Sequence, residues 1–416
     1  MLQLGEVLAA LIIFVATYLF LAGAELPFLK LDRPGGAVAG AVAMVAFGVL
    51  TPKQVYRDAI NWDTLVLLLG MMVIASVMAR AAIFRWISWA ALRRAHGPRA
   101  LLAILVLVSG TLSALLVNDT VCVMCTPLVL ALVESAALPA LPYLLGLAFA
   151  SNAGSVATLT GNPQNMLIGT LSGISYAQFS KSLLLPAALS LALVLLVLLA
   201  AFRRELAWRP IAMDVPAPVL DRRLAWLCAG ALAFVVAGFL LGYSLAWTAM
   251  TGAALLLALS QKPPKEMFAQ VDGTLLLFFA GLFVVTHGVA QAGIAERIHA
   301  WWAPLLGDNA TQQTLRFGAF TVAACQLVSN VPFVLLAAQW IPKLADPHLG
   351  WLSLALVSTL AGNLTPVASV ANLIVLELAG EKGKIPFLRF LWLGALCTLL
   401  PLLVGLACLL AERGHL

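Results

Sequence analysis

Four short polar clusters interrupt an otherwise apolar chain, and their residue types define the chemistry available. Two are brief: Asn118-Asp119-Thr120 and Ser329-Asn330. The third runs from Ser151, Asn152 and Ser155 through Thr160, Gly161, Asn162, Pro163, Gln164 and Asn165. The fourth holds Gly362, Asn363, Thr365, Ser369 and Asn372. Amide and hydroxyl side chains offer neutral donors and acceptors. Gly161 and Pro163 disrupt any helix running through them. A break frees backbone N–H and C=O groups, which lipid tolerates only where they line a cavity or bind something. The half-helix restarting near Pro163 would aim its positive N-terminus into that cavity, which suits an oxyanion or oxyacid. Small polar residues can also serve helix packing alone. Four clusters at repeat-related positions favour a binding site.

Asp119 is the sharpest single residue. A carboxylate near the membrane midplane is poised to take up and release a proton. The plainer alternative is an acid satisfied by hairpin-tip amides. His287 lies inside an apolar span, where a hydrogen bond between helices accounts for it as well as a proton relay does. Glu134 and Glu377 lie near segment ends and are expected to reach the interface. Cys122 and Cys125 form a C-x-x-C just after Asp119. Paired thiolates could hold a soft metalloid, but tight capture opposes release, and buried cysteine packs as a small apolar residue. No metal site and no cofactor are expected. A nucleophile elbow, H-E-x-x-H and P-loop are absent from the sequence, so the chain does not read as an enzyme. ATP-driven transport would require a separate ATPase subunit.

The elements that must position these clusters are membrane spans. The 416 residues are 62% hydrophobic and 10% charged, where a soluble protein carries roughly a quarter charged residues. Apolar runs of about 20 residues recur, each able to cross ~30 Å of hydrocarbon. Ten spans are expected, near 5–25, 35–50, 62–80, 142–172, 180–202, 222–241, 245–260, 273–292, 350–379 and 386–411. Those at 142–172 and 350–379 are broken helices. The first run does not read as a secretory signal, because it lacks a basic leader and Glu6 precedes it. Stretches 99–137 and 311–342 carry Asn118-Asp119 and Ser329-Asn330 at their middles. A re-entrant hairpin with a buried polar tip avoids the cost of a charge at the centre of a span. The six cysteines fall inside apolar segments, so no disulfide framework is expected.

With both termini extracytoplasmic, 17 of the 24 Lys and Arg lie on the inner side and 7 on the outer. That asymmetry matches the positive-inside rule and puts 26–34, 80–99, 203–222, 261–272 and 380–386 in the cytoplasm of a bacterial inner (plasma) membrane. The net charge of +6 reflects this orientation rather than nucleic-acid binding.

An internal repeat is legible. Leu65-Val66-Leu67-Leu68-Leu69-Gly70-Met71 resembles Leu276-Leu277-Phe278-Phe279-Ala280-Gly281-Leu282, 211 residues on. Asn118 and Asn330 are 212 apart, and Asn165 and Asn372 are 207 apart. Residues 1–205 then form a first repeat of five spans plus hairpin 99–137. A cytoplasmic linker follows at 206–221, and 222–416 form a second repeat with hairpin 311–342. An odd number of spans inverts the second copy, which puts a substrate site at the midplane and permits alternating access. The fold class is an all-α polytopic membrane protein with an inverted-topology repeat.

The blocks Leu116-Val117-Asn118-Asp119-Thr120, Thr126-Pro127, Ser151-Asn152-Ala153-Gly154-Ser155 and Gly161-Asn162-Pro163-Gln164-Asn165 carry a family resemblance. Ser329-Asn330-Val331-Pro332, Gly362-Asn363-Leu364-Thr365 and Ala371-Asn372-Leu373 extend it into the second half. The chain resembles the ion transporter superfamily, in its branch of arsenite efflux permeases (ArsB), silicon efflux transporters and NhaD-type sodium/proton antiporters. Divalent anion/sodium symporters are more distant. The resemblance implies that Asn118, Thr120, Ser329 and Asn330 line the cavity with the helix breaks, and that the protein is a homodimer. Where the symporters carry Ser-Asn-Thr tips, hairpin one here has an extra acid and hairpin two lacks the Thr. That departure fits proton coupling better than sodium/dicarboxylate symport. The expected activity is proton-coupled efflux of a small oxyacid such as arsenite, antimonite or silicic acid. Arsenite is neutral at pH 7, and the four clusters contain no Arg. Sodium/proton antiport, sodium-coupled anion symport and a channel or facilitator are the alternatives.

Overall fold

A computed structural model describes residues 4–21, 32–211, 216–268 and 271–414. Residues 22–31, within the first expected span and loop, and 212–215 of the linker lie outside the described residues. The described chain is helical, and eight of its helices are long and apolar enough to cross a membrane.

Setting single-turn pieces aside, the helices of the first half are α1 (Leu4–Leu21), α2 (Arg33–Ala46), α3 (Trp62–Arg80), α4 (Ile83–Leu92), α5 (Pro98–Leu115), α6 (Asn118–Ser135), α7 (Leu141–Ser155), α8 (Pro163–Ser172) and α9 (Tyr176–Ala201). Those of the second half are α10 (Arg222–Leu240), α11 (Leu245–Leu259), α12 (Gly273–Gln291), α13 (Ile294–Trp302), α14 (Ala310–Val328), α15 (Asn330–Ala337), α16 (Pro347–Ala361), α17 (Val370–Ala379) and α18 (Phe387–Glu412). The element order is therefore duplicated. Each half has its helix–break–helix hairpin, α5–α6 or α14–α15, and its broken helix, α7–α8 or α16–α17.

Local rules account for the boundaries. Asn61 caps α3 by accepting from Thr64 N at 2.9 Å, and Asp272, 211 residues later, caps α12 from Leu275 N at 3.0 Å. The stretches 80–99 and 293–310, expected as loops, contain the amphipathic helices α4 and α13. Each follows a left-handed residue, Ala82 at φ 61° and Gly293 at φ 68°. Hairpin one turns at Leu116 and Val117, just before the expected Asn118-Asp119. Asn118 and Asp119 thus open α6, and Asn118 N–H donates to Gly161 O at 2.9 Å.

The halves interlock reciprocally. Helix α2 packs on α12 while α11 packs on α3; α6 meets α17 while α15 meets α8; α9 lies along α18. The glycine shared by the two sequence anchors explains the first exchange. A Cβ on Gly70 would sit 2.8 Å from the Ala249 carbonyl carbon, and one on Gly281 would sit 2.7 Å from that of Ala37. Backbones approach this closely only where no side chain intervenes. Helices α7 and α16 are buried along almost their whole length, so they are the bundle's centre. Apolar residues of α9, α10 and α18, such as Leu184, Trp226 and Trp392, point outward, as a lipid-facing surface requires.

Polar contacts join segments distant in sequence. Arg80–Glu266, Lys382–Glu134, Arg389–Glu205 and Lys262–Asp221 join segments assigned to one side. Arg413–Asp346 and Ser182–Glu412 join segments assigned to the other. Glu134 reaches the surface, as expected, and ends in an ion pair.

Gly281→Ala forces the α2 and α12 backbones apart and is expected to destabilise the protein by about 1–3 kcal/mol. The measurement is the thermal unfolding midpoint in detergent. Gly230→Ala on α10, where an added Cβ meets nothing within 4 Å, should leave it unmoved.

Candidate functional site

The half-helices meet at one cavity of about 260 Å³. Asn118 and Asp119 from the start of α6, and Pro163 and Gln164 from the start of α8, form one part of its wall. Ser329 and Asn330 from the start of α15, with Ser369 and Val370 from the start of α17, form another. Four helix N-termini thus converge on it, each with a partial positive charge. Phe278, Leu275, Val328 and Val331 supply apolar wall.

Asn152 stands behind this wall and ties its parts together. Its Nδ2 donates to Asn363 Oδ1 at 2.8 Å and to Asn372 Oδ1 at 3.4 Å. Its Oδ1 accepts from Asn118 Nδ2 at 3.0 Å and from Ser369 Oγ at 3.1 Å. Asn152 belongs to the first half and Asn363 to the second, so the halves meet through an amide–amide bond.

The two breaks are closed by one device used twice. Asn165 Nδ2 donates to Ser155 O at 3.1 Å and Thr158 O at 3.0 Å. Asn372 Nδ2 donates to Gly362 O at 2.7 Å and Thr365 O at 3.3 Å. All three pairs of equivalents are 207 residues apart. Asn162 caps α8, accepting from Asn165 N at 2.8 Å, and donates to Ser155 Oγ at 2.8 Å and Thr359 Oγ1 at 3.2 Å. Gly161 must be glycine, since a Cβ there would lie 2.2 Å from Ser155 O. Gln326 secures hairpin two to the second break by donating to Ala361 O at 3.0 Å and accepting from Thr365 Oγ1 at 2.8 Å.

Of the residues singled out from the sequence, Asn118, Asp119, Gln164, Ser329, Asn330 and Ser369 line the cavity. Thr120, Ser151, Asn152, Ser155, Thr160, Gly161, Asn162, Asn165, Gly362, Asn363, Thr365 and Asn372 do not line it. Most of them bond the breaks and hairpin tips from behind. Cys122 donates to Ser151 Oγ at 3.1 Å, and Cys125 lies 3.4 Å from Ser88 Oγ. Both are buried free thiols away from the cavity wall.

The sequence reading missed Arg33, Asp272 and Thr274, which the cavity also recruits. Arg33 opens α2, and Asp272 caps α12. Both had been assigned to loops. The expectation of a site without arginine is therefore corrected: Arg33 comes from outside the four clusters, carried in by the packing of α2 on α12. Its signal in the sequence was a basic residue directly after a helix-capping Asp32, which accepts from Gly35 N at 2.8 Å. The tips also differ. Ser329 holds φ 68° and ψ 165°, a conformation that costs a non-glycine residue on the order of 1–3 kcal/mol. Val117 is unstrained at φ −60°.

A bundle of broken apolar helices around a central polar cavity is the architecture of a membrane transporter. The citrate transporter family profile (CitMHS) matches residues 9–361, and the chain belongs to that family. It is 31% identical to the silicon efflux transporter LSI3 of Oryza sativa subsp. japonica, over 86% of this chain and 88% of that one. It is 26% identical to the putative transporter arsB of Dictyostelium discoideum, over 95% and 90%. The YdaH transporter of Alcanivorax borkumensis shares the fold at a TM-score of 0.65 and 19% identity, over 98% and 97%. The resemblance seen in the motifs thus holds, and the family consists of transporters, not enzymes.

Asn152→Ala removes all four amide contacts and strands buried partners at about 1–3 kcal/mol each. A marked fall in unfolding midpoint in detergent is expected, larger than that of Thr398→Val, which loses a single bond to Leu360 O.

Proposed function

We propose that this transporter exports a small oxyacid, such as arsenite or silicic acid, in exchange for protons, and that Asp119 carries the proton. The observation behind the reading is the convergence of four helix N-termini, amides, hydroxyls and the Asp119 carboxylate on one small cavity. Hydroxyl-rich solutes match amide and hydroxyl partners. The rice relative, a silicon efflux transporter, points the same way.

The choice of proton over sodium rests on the breaks. Their freed carbonyls at Ser155, Thr158, Gly362 and Thr365 already accept from Asn165 and Asn372. A cation would have to displace those amides. Asp119, absent from the matching position Val331, offers a proton-binding group instead.

We further infer that residues 1–205 and 222–416 are inverted repeats, with both termini outside an inner membrane. The duplicated hydrogen bonds and reciprocal packing support the repeat, and the charge asymmetry supports the orientation. Arg33 and Asp272 then lie on the cytoplasmic side of the cavity.

The test is arsenite flux in proteoliposomes under an imposed pH gradient. Flux should follow the gradient in the wild type. Asp119→Asn should lose gradient-driven flux by about tenfold or more. Absence of arsenite movement removes the substrate assignment. Unaltered coupling in Asp119→Asn removes the role of Asp119.

A further inference from the structure

Arg33 is a half-buried guanidinium in the wall of the cavity, and the only basic side chain among the described wall residues. It makes no ion pair among the described residues. Two carboxylates, Asp119 and Asp272, share the same wall. An ionised ligand entering beside them is repelled unless a fixed cation stands next to it. Arginine is suited to that task, because its planar fork meets two oxygens at once and stays charged.

A second observation points to a ligand. Asn118 is 3% exposed, and its Nδ2 is engaged by Asn152. Its Oδ1 is buried with no hydrogen-bond partner, and Asn118 belongs to the cavity wall. A buried acceptor left unpaired carries a penalty that a donor would relieve. The equivalent Asn330 has no such vacancy, since its Oδ1 accepts from Val331 N at 2.9 Å. The cavity therefore presents a donor fork at one place and an unmet acceptor at another.

Resting on the reading of this cavity as the transport site, we propose that Arg33 is its specificity-determining residue, admitting oxyanions that also carry a hydroxyl. Arg33 takes the ionised oxygens, and Asn118 Oδ1 accepts from the hydroxyl. Without Arg33 the cavity keeps its amides, hydroxyls and helix N-termini and still accommodates a neutral oxyacid. Arg33 thus determines the charge of the accepted form, while Asp119 serves the proton.

The experiment is equilibrium binding to the full chain in lipid nanodiscs at pH 7, by calorimetry. The probes are two anions bearing a hydroxyl, arsenate and citrate, and neutral arsenite. The wild type should bind at least one anion. Arg33→Gln should weaken that binding roughly 10- to 100-fold and weaken arsenite binding much less, by about threefold at most. Arg33→Lys should restore part of it, because it keeps the charge and loses the fork. Equal loss of anion and arsenite marks a merely structural role and overturns the inference. So does failure of the wild type to bind either anion, or anion binding indifferent to Arg33→Gln. Its failure is separable from that of the transport reading. Gradient-driven arsenite flux in the wild type, with no anion binding or anion binding indifferent to Arg33→Gln, leaves that reading standing while this one falls.

Discussion

Backbone hydrogen bonding is the constraint from which the rest of this structure follows. A helix that stops inside a membrane-embedded bundle leaves carbonyls on one side of the gap and N–H groups on the other, with no bulk water to receive them. Here the carbonyl side is settled internally, by Asn165 in one half and Asn372 in the other. The helix starts on the other side of each break face the cavity. The same break therefore provides both rigidity and a site. Its satisfied half fixes the geometry, and its open half supplies the field that a ligand meets.

The two halves match in element order, and their departures from that match give the arrangement direction. Asn152 of the first half and Asn363 of the second join across the centre. Equivalent glycines, Gly70 and Gly281, let equivalent helices cross. Against this background the hairpin tips diverge. Hairpin one has an acid and an unpaired amide oxygen, while hairpin two has a strained Ser329 and a satisfied Asn330. A site between two matched frames with unmatched tips can treat its two faces differently. Arg33 and Asp272 add to this asymmetry. Each opens its helix, and both reach the cavity through the α2–α12 contact.

The polar lattice at the bundle's ends complements this centre. Ion pairs such as Lys382–Glu134 and Arg389–Glu205 bind first-half to second-half segments on one side. Exposed pairs of this kind contribute little stability singly. The close crossings and the buried amide network carry the coherence of the bundle.

The sequence by itself determined the all-helical membrane character, the polar turns at 116–118 and 329–330, and both helix breaks. These features depend on local signals: runs of hydrophobicity set by bilayer thickness, glycine and proline where a helix cannot continue, and polar residues where lipid forbids them. Six of the cavity residues were legible for the same reason. Only the tertiary structure separated these wall residues from those that brace them, such as Asn152, Asn165 and Asn372, because an amide reads alike whether it faces a ligand or a freed carbonyl. Only the tertiary structure brought in Arg33, Asp272 and Thr274. They belong to helix starts remote in sequence from every cluster, and the packing of α2 on α12 decides that they meet.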